Sequence, residues 1–211
     1  MAEPAHDCPR CPRLVGFRQQ QRAAHPAWFN GPVPCFGDAE ARLLIVGLAP
    51  GLQGANRTGR PFTGDHAGEL LYQTLIQFGF AEGHYAADPR DGLRLRNALI
   101  VNAVRCVPPQ NKPLPAEIKA CNIFLRERIV SLDRLAAIVA LGRVAHDAVL
   151  TALEQRKSAF AFAHGAEHPL SGPMLFDSYH CSRYNTNTGV LTPEMFHAVF
   201  GRVRSFLDAR V

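Results

Sequence analysis

Three short apolar runs, residues 43–48 (LLIVGL), 99–104 (LIVNAV) and 135–141 (LAAIVAL), limit the folds open to this chain. Each is too short for a buried helix and long enough for a strand covered on both faces. A fourth, more mixed segment at residues 174–179 continues the series. Between and after them, residues 68–78, 113–131, 142–153 and 192–207 read as helices. The last has Thr192 as N-cap, Pro193 at the first helical position and Glu194 beside it. Strands alternating with helices predict an α/β protein, a three-layer α/β/α sandwich around a central, mostly parallel four-stranded sheet. In such folds ligands bind beyond the carboxyl ends of the strands. The loops after Leu48, Val104 and Tyr179 are therefore the places to look.

The chain has 211 residues, 47% hydrophobic and 19% charged, enough for one core and too apolar for disorder. We expect a single domain over residues 1–211, with residues 1–40 as an N-terminal arm containing one short helix at 14–24. No apolar run reaches the roughly 18 residues a membrane helix needs, and residues 1–18 lack a signal-peptide core. A cytoplasmic monomer with no membrane partner is expected. The net charge of +5 suits a polyanionic partner without demonstrating one.

Six cysteines are present: Cys8, Cys11, Cys35, Cys106, Cys121 and Cys181. Without an export signal, metal or redox use is favoured over disulfides. Cys8-Pro-Arg-Cys11 is a C-x2-C pair, the spacing at which two thiolates reach one metal or cluster from a tight turn. Cys106 and Cys121 have fourteen residues between them, in a segment stiffened by Pro108, Pro109, Pro113 and Pro115. Four thiolates suit zinc or a [4Fe–4S] cluster, and spacing alone does not separate the two. A chance C-x2-C with the other thiols buried as apolar side chains is the plainer alternative. Cys35 and Cys181 lack a close partner and read as free thiols.

The glycine-rich loop PGLQGANRTGRPFTGD has neither G-K-[ST] nor G-x-G-x-x-G, so nucleotide triphosphates and dinucleotides lose their usual signatures. Free backbone N–H groups, Arg57, Arg60 and Phe62 could hold a planar ring; a glycine-rich turn with Phe62 in the core fits equally. Asn102 interrupts an apolar strand, so its amide is bonded locally or offered to a ligand, where one donor and one acceptor can read a base edge. His180 follows the last strand and can donate to developing negative charge. The other eight histidines read as surface or structural. Around His180, Ser182, Arg183, Tyr184, Asn185, Thr186 and Asn187 suit phosphate contacts and a duplex wedge, or simply a solvated loop.

These motifs in order, GLAPG-x3-AN-R-TGR-P-F-TGD, VN-x2-RC, C-x14-C and SYHCSR-x-NT-x-TG-x-LTPEMF, resemble the family 5 (type B) uracil-DNA glycosylases. That is the iron–sulfur branch of the superfamily, and the resemblance runs from Cys8 to Phe196. It implies a monofunctional DNA N-glycosylase of base excision repair that removes uracil and leaves an abasic site; a pocket short of selective side chains would also admit hypoxanthine and xanthine. It implies a [4Fe–4S] cluster on Cys8, Cys11, Cys106 and Cys121. Phe62 matches the aromatic that stacks on the flipped base, and Asn102 the amide that reads its edge. His180 matches the histidine that stabilises charge on the departing base.

Arg183, Tyr184 and Asn185 fall in the loop that meets DNA, with Arg57 and Arg60 as further DNA contacts and Ala49 and Gly51 beside the base. Other branches place a carboxylate or Asn just after the first strand; here Leu48 and Ala49 stand there and cannot activate water. Asn56, helped by a backbone carbonyl near Ala49, is the candidate to hold it. DNA, double- or single-stranded, would be the partner, and the nucleoid the place of work. The alternative from another class is a non-enzymatic, zinc-bearing DNA-binding module.

Overall fold

A computed structural model describes residues 3–210. The first half runs α1 (Pro12–Ala24), β1 (Phe36–Gly37), β2 (Leu43–Gly47), α2 (Ala55–Thr58), α3 (His66–Gln77), β3 (Ala81–Glu82), β4 (Arg94–Leu95) and β5 (Ala98–Asn102). The second half runs α4 (Pro115–Val130), β6 (Ala137–Leu141), α5 (Arg143–Ala152), β7 (Glu167–Pro169), β8 (Met174–Ser178), α6 (Arg183–Asn187) and α7 (Pro193–Asp208).

The main sheet has six strands in the order β1-β5-β2-β6-β8-β7. Its four inner strands are parallel, and β1 and β7 pair antiparallel at the two edges. The apolar runs thus form the parallel centre, and the four-strand expectation is corrected to six. The two edge strands have two and three residues, too few for a readable alternation, and Pro169 closes one of them. Short, Pro-bearing edges discourage pairing with another chain. The pair β3–β4 forms a separate small ribbon.

Both sheet faces are covered, which explains the unbroken apolar runs. Leu43 and Ile45 of β2 face the cluster formed with α3 and α7, where Leu75, Phe196 and Phe200 are buried. Leu44 and Val46 face the opposite cluster with Leu125 of α4 and Val149 of α5. Full burial of each such side chain contributes about 1.5–3 kcal/mol. At the start of α7, Thr192 accepts a hydrogen bond from the Met195 N–H at 3.2 Å, so the cap has its expected geometry. Among the described residues, no helix is long and apolar enough to cross a membrane.

Register brings the functional ends together. Gly47, the last residue of β2, pairs with Asn102, the last of β5, while Leu141 pairs with Ser178 at the end of β8. All four strands deliver their loops to one end of the sheet. Two of those loops hold short helices: α2 lies within residues 49–65, and α6 within 180–191.

Candidate nucleic-acid and base site

A cleft of about 690 Å³ opens at this end, lined from the first loop by Leu48, Ala49 and Gly51. Phe62 and Asn102 form its floor side, and His180, Arg183 and Tyr184 reach it from the last loop.

Phe62 is held in a conformation few aromatic residues adopt, with φ of 55°. Such left-handed backbone costs about 1–3 kcal/mol and persists only where surroundings impose it. Here the Tyr85 hydroxyl donates to the Phe62 carbonyl at 3.2 Å, and the Tyr72 hydroxyl donates to that of Pro61. A methyl group on Gly47 would lie 2.5 Å from Asn102 Oδ1 and 2.6 Å from Phe62 Cζ. Glycine at the end of β2 therefore lets ring and amide meet.

Arg60 belongs to this scaffold and is not free for DNA, which corrects the sequence expectation. It is 5% exposed, donates both Nη groups to Asp91 at 2.8 and 2.7 Å, and donates Nε to Thr63. The rings of Phe36, Tyr72 and Tyr85 surround it. The guanidinium holds the Asp91 carboxyl well below the usual carboxylate range. Arg57, by contrast, is exposed, with Nε bonded to the Gln53 carbonyl.

Asn102 is 3% exposed, and its Oδ1 is buried without a hydrogen-bond partner. A buried amide oxygen left unpaired costs about 1–3 kcal/mol, which a ligand N–H could recover. His180 faces Phe62, ring centroids 6.0 Å apart at 28°. Burial pushes its imidazole down to about 4, so near neutral pH it is uncharged and offers one N–H and one lone pair. Asn185 donates its Nδ2 to the His180 carbonyl at 2.8 Å, so its amide holds the histidine's backbone in place. Arg183 and Tyr184 stay exposed, Tyr184 at 74%.

Asn56 is fully buried one step behind the cleft and absent from its lining. Its Nδ2 donates to Asn30 Oδ1 at 2.9 Å, which leaves Oδ1 without a partner. Asp65, His66 and Asn111 are among the lining residues that the sequence reading did not single out. Asp65 precedes α3 but caps nothing there; its carboxyl accepts from the Ala55 N–H, with its pKa raised by burial. A methyl on Gly54 would come within 2.0 Å of it, so Asp65 clasps the glycine-rich loop. His66 reaches Thr186 Oγ1 at 3.2 Å, bridging α3 and α6 across the cleft. Asn111 lines the cleft with φ of 56°, beside Gln110 at 55°. Its place in a proline-bounded turn was the available signal.

A second cavity is lined by all four paired cysteines together with Arg10, Leu14 and Arg18. Its volume is about 20 Å³. The six cysteines form no disulfide. The buried His146 and the partly buried His168 also find an unforeseen partner. Asp177 accepts from His146 Nδ1 at 2.7 Å and from His168 Nε2 at 3.0 Å, while His146 Nε2 meets the Phe160 carbonyl at 2.9 Å.

Fold and cleft define an α/β sandwich with a cleft at its strand ends, lined by Phe62, Asn102 and His180 and flanked by the exposed Arg183 and Tyr184. The sequence model of the Uracil DNA glycosylase superfamily matches residues 34–204. The Type-5 uracil-DNA glycosylase of Thermus thermophilus is 48% identical over 196 residues, covering 90% of this chain and 89% of that protein. That of Pyrobaculum aerophilum is 40% identical over 200 residues, covering 93% and 87%. The Type-4 uracil-DNA glycosylase of Thermotoga maritima is 36% identical over 135 residues, covering 63% and 62%. The chain belongs to the uracil-DNA glycosylase superfamily.

Proposed function

We propose that this chain flips uracil out of DNA and hydrolyses its N-glycosidic bond, leaving an abasic site. The observation that carries the reading is the unpartnered Oδ1 of Asn102 beside Phe62, an acceptor kept for a ligand. Oδ1 accepts from N3–H of uracil while Nδ2 donates to O4. Hypoxanthine and xanthine offer the same donor–acceptor pair at N1–H and O6, so they are substrates as well. Extrusion costs a few kcal/mol and is least for weakly paired lesions. Phe62 returns about 1–3 kcal/mol by stacking on any base.

In the chemical step the electron pair of the N-glycosidic bond leaves with the base, and the sugar C1′ gains oxocarbenium character. The neutral His180 N–H stabilises the anionic base; one such donor is worth about 2.7–4 kcal/mol in other enzymes. Water entering the cleft adds to C1′, and its proton leaves to the base or solvent; Asn56, buried behind the cleft, steadies the glycine-rich loop and is not placed to hold that water. A departing anion stabilised in this way makes a strong general base dispensable, which fits Leu48 and Ala49 after the first strand. Arg57, Arg183 and Tyr184 meet the DNA, and the enzyme works as a monomer at the nucleoid.

Cys8, Cys11, Cys106 and Cys121 would hold a [4Fe–4S] cluster. A tetrahedral zinc with bonds of about 2.3 Å needs sulfurs about 3.8 Å apart. Among the described residues, no three of these sulfurs lie within 4.8 Å of one another, although all four line one cavity. That wider spacing suits a cluster better than a single ion. When bound, the cluster supplies a cross-link between the arm, the segment after β5 and α4, with no coordination position left open. The test is excision from a uracil-containing oligonucleotide, read by alkaline cleavage at the abasic site. Intact strands under single-turnover conditions would overturn the proposal.

A further inference from the structure

Three arginines are buried among the described residues: Arg18, Arg60 and Arg105. Arg60 has Asp91 and Arg105 has Glu3, but among the described residues no carboxylate lies within ion-pair distance of Arg18, which is 2% exposed; Asp7 acts on it only from farther off. Its Nη1 lies 3.4 Å from Cys106 Sγ, and its Nη2 donates to the Cys8 carbonyl at 3.3 Å. Its Nε is buried with no acceptor at all. A guanidinium stays charged under any ordinary condition, and a buried charge without an opposite charge is strongly disfavoured. A thiol and a carbonyl do not neutralise it.

The side chain lines the cavity formed by the four cysteines, which points to where the missing negative charge belongs. We infer that Arg18 is the counter-charge of the group held by Cys8, Cys11, Cys106 and Cys121, steadying that group and raising its reduction potential. The inference rests on the cluster assignment above. Four thiolates around an oxidised [4Fe–4S] core carry a net charge of −2. Addition of one electron, from dithionite in the assay, makes it −3 with no bond made or broken. A fixed positive charge donating to a cluster ligand favours the −3 state more than the −2 state. Arg105 differs: its backbone N–H reaches Cys121 Sγ at 3.4 Å, but its side-chain charge is already balanced by Glu3.

The experiment compares anaerobically purified full-length wild type, Arg18→Met and Arg18→Lys, by iron content, visible absorbance, midpoint potential and iron loss to a chelator. Arg18→Met is expected to show a reduced-to-oxidised ratio at least tenfold lower at a given potential. For one electron that is a midpoint about 59 mV lower. Its iron should be lost severalfold faster, while Arg18→Lys, which keeps the charge, stays within threefold of wild type on both readings. If Arg18→Met does not accumulate folded, Arg18→Gln is read against Arg18→Lys in its place. An unchanged midpoint in the neutral variant, or an equal shift in the lysine variant, overturns the inference and leaves the cluster standing. Wild-type protein without iron overturns the cluster assignment and the inference together.

Discussion

Replacing Asn102 with leucine separates a ligand-reading amide from a structural one. The side chain is 3% exposed, its Oδ1 has no partner, and Gly47 and Phe62 crowd it. Leaving that acceptor buried costs the folded protein about 1–3 kcal/mol. Leucine has nearly the same shape and no polar atom, so Asn102→Leu should be more stable by about 1–2 kcal/mol. At this chain length each kcal/mol moves Tm by about 2–4 °C, so a rise of roughly 2–8 °C is expected. The same change removes one donor and one acceptor from the base edge. A two-bond contact of that kind is worth about 1–3 kcal/mol, or roughly 5- to 160-fold in single-turnover excision. Scanning calorimetry on the intact protein and excision of uracil at saturating enzyme give the two numbers. A variant that melts lower than wild type yet excises at the wild-type rate would show a core amide and refute the reasoning.

Three further outcomes follow from the buried ionisable side chains. His180, whose folded value lies near 4 against about 6.5 unfolded, stabilises the fold fully above pH 6.5. That contribution, roughly 3 kcal/mol at most, is lost as pH falls from 6.5 toward 4. Urea midpoints should therefore depend less on pH in His180→Gln, and excision should show no inflection between pH 6 and 8 that this variant abolishes. Asp91→Ala strands the Arg60 guanidinium among three rings and should cost about 3–5 kcal/mol in denaturant titration, where a loss under 1 kcal/mol would contradict the buried pair. His146 meets an acceptor at each ring nitrogen, and Asp177 raises its pKa against the opposing effect of burial. Its contribution is complete below about pH 6.5 and fades as pH rises through the raised value, so nitrogen NMR at pH 6 should find an imidazolium and not a neutral tautomer.

How much was legible depended on whether each signal was local. Residues 43–48 announce a strand because both faces of β2 are buried and every position must be apolar. Phe36–Gly37 and Glu167–Pro169 leave no such mark, because a two- or three-residue edge owes its pairing to its neighbour. Arg60 looked available because it stands in a glycine-rich loop at the carboxyl end of a strand, where ligands bind. What removes it from the surface is Asp91, 31 residues away in the chain. Asp65 was hidden for the opposite reason: an acidic residue just before a helix has an ordinary explanation as a cap. Its carboxyl instead faces Gly51 and Gly54, which only the tertiary path of the loop reveals.

Asn56 shows how the two cavities constrain one another. Its Nδ2 binds Asn30 Oδ1, its carbonyl accepts from the Asn30 N–H, and its own N–H donates to the Gly51 carbonyl at the cleft. Asn30 in turn donates to the His25 carbonyl at the end of α1, and Arg22 of α1 donates to the Asn30 carbonyl. Arg18 and Leu14 of that same helix line the cysteine cavity. A path of five residues therefore runs from the thiols through α1 to the loop beside the base, with hydrogen bonds or helix backbone at every step. Cooperative packing of this kind ties the arm to the glycine-rich loop, since displacing α1 loosens Asn30 and with it both hydrogen bonds between Asn30 and Asn56. An element read as an appendage from its irregular composition thus fixes where the glycine-rich loop stands at the cleft.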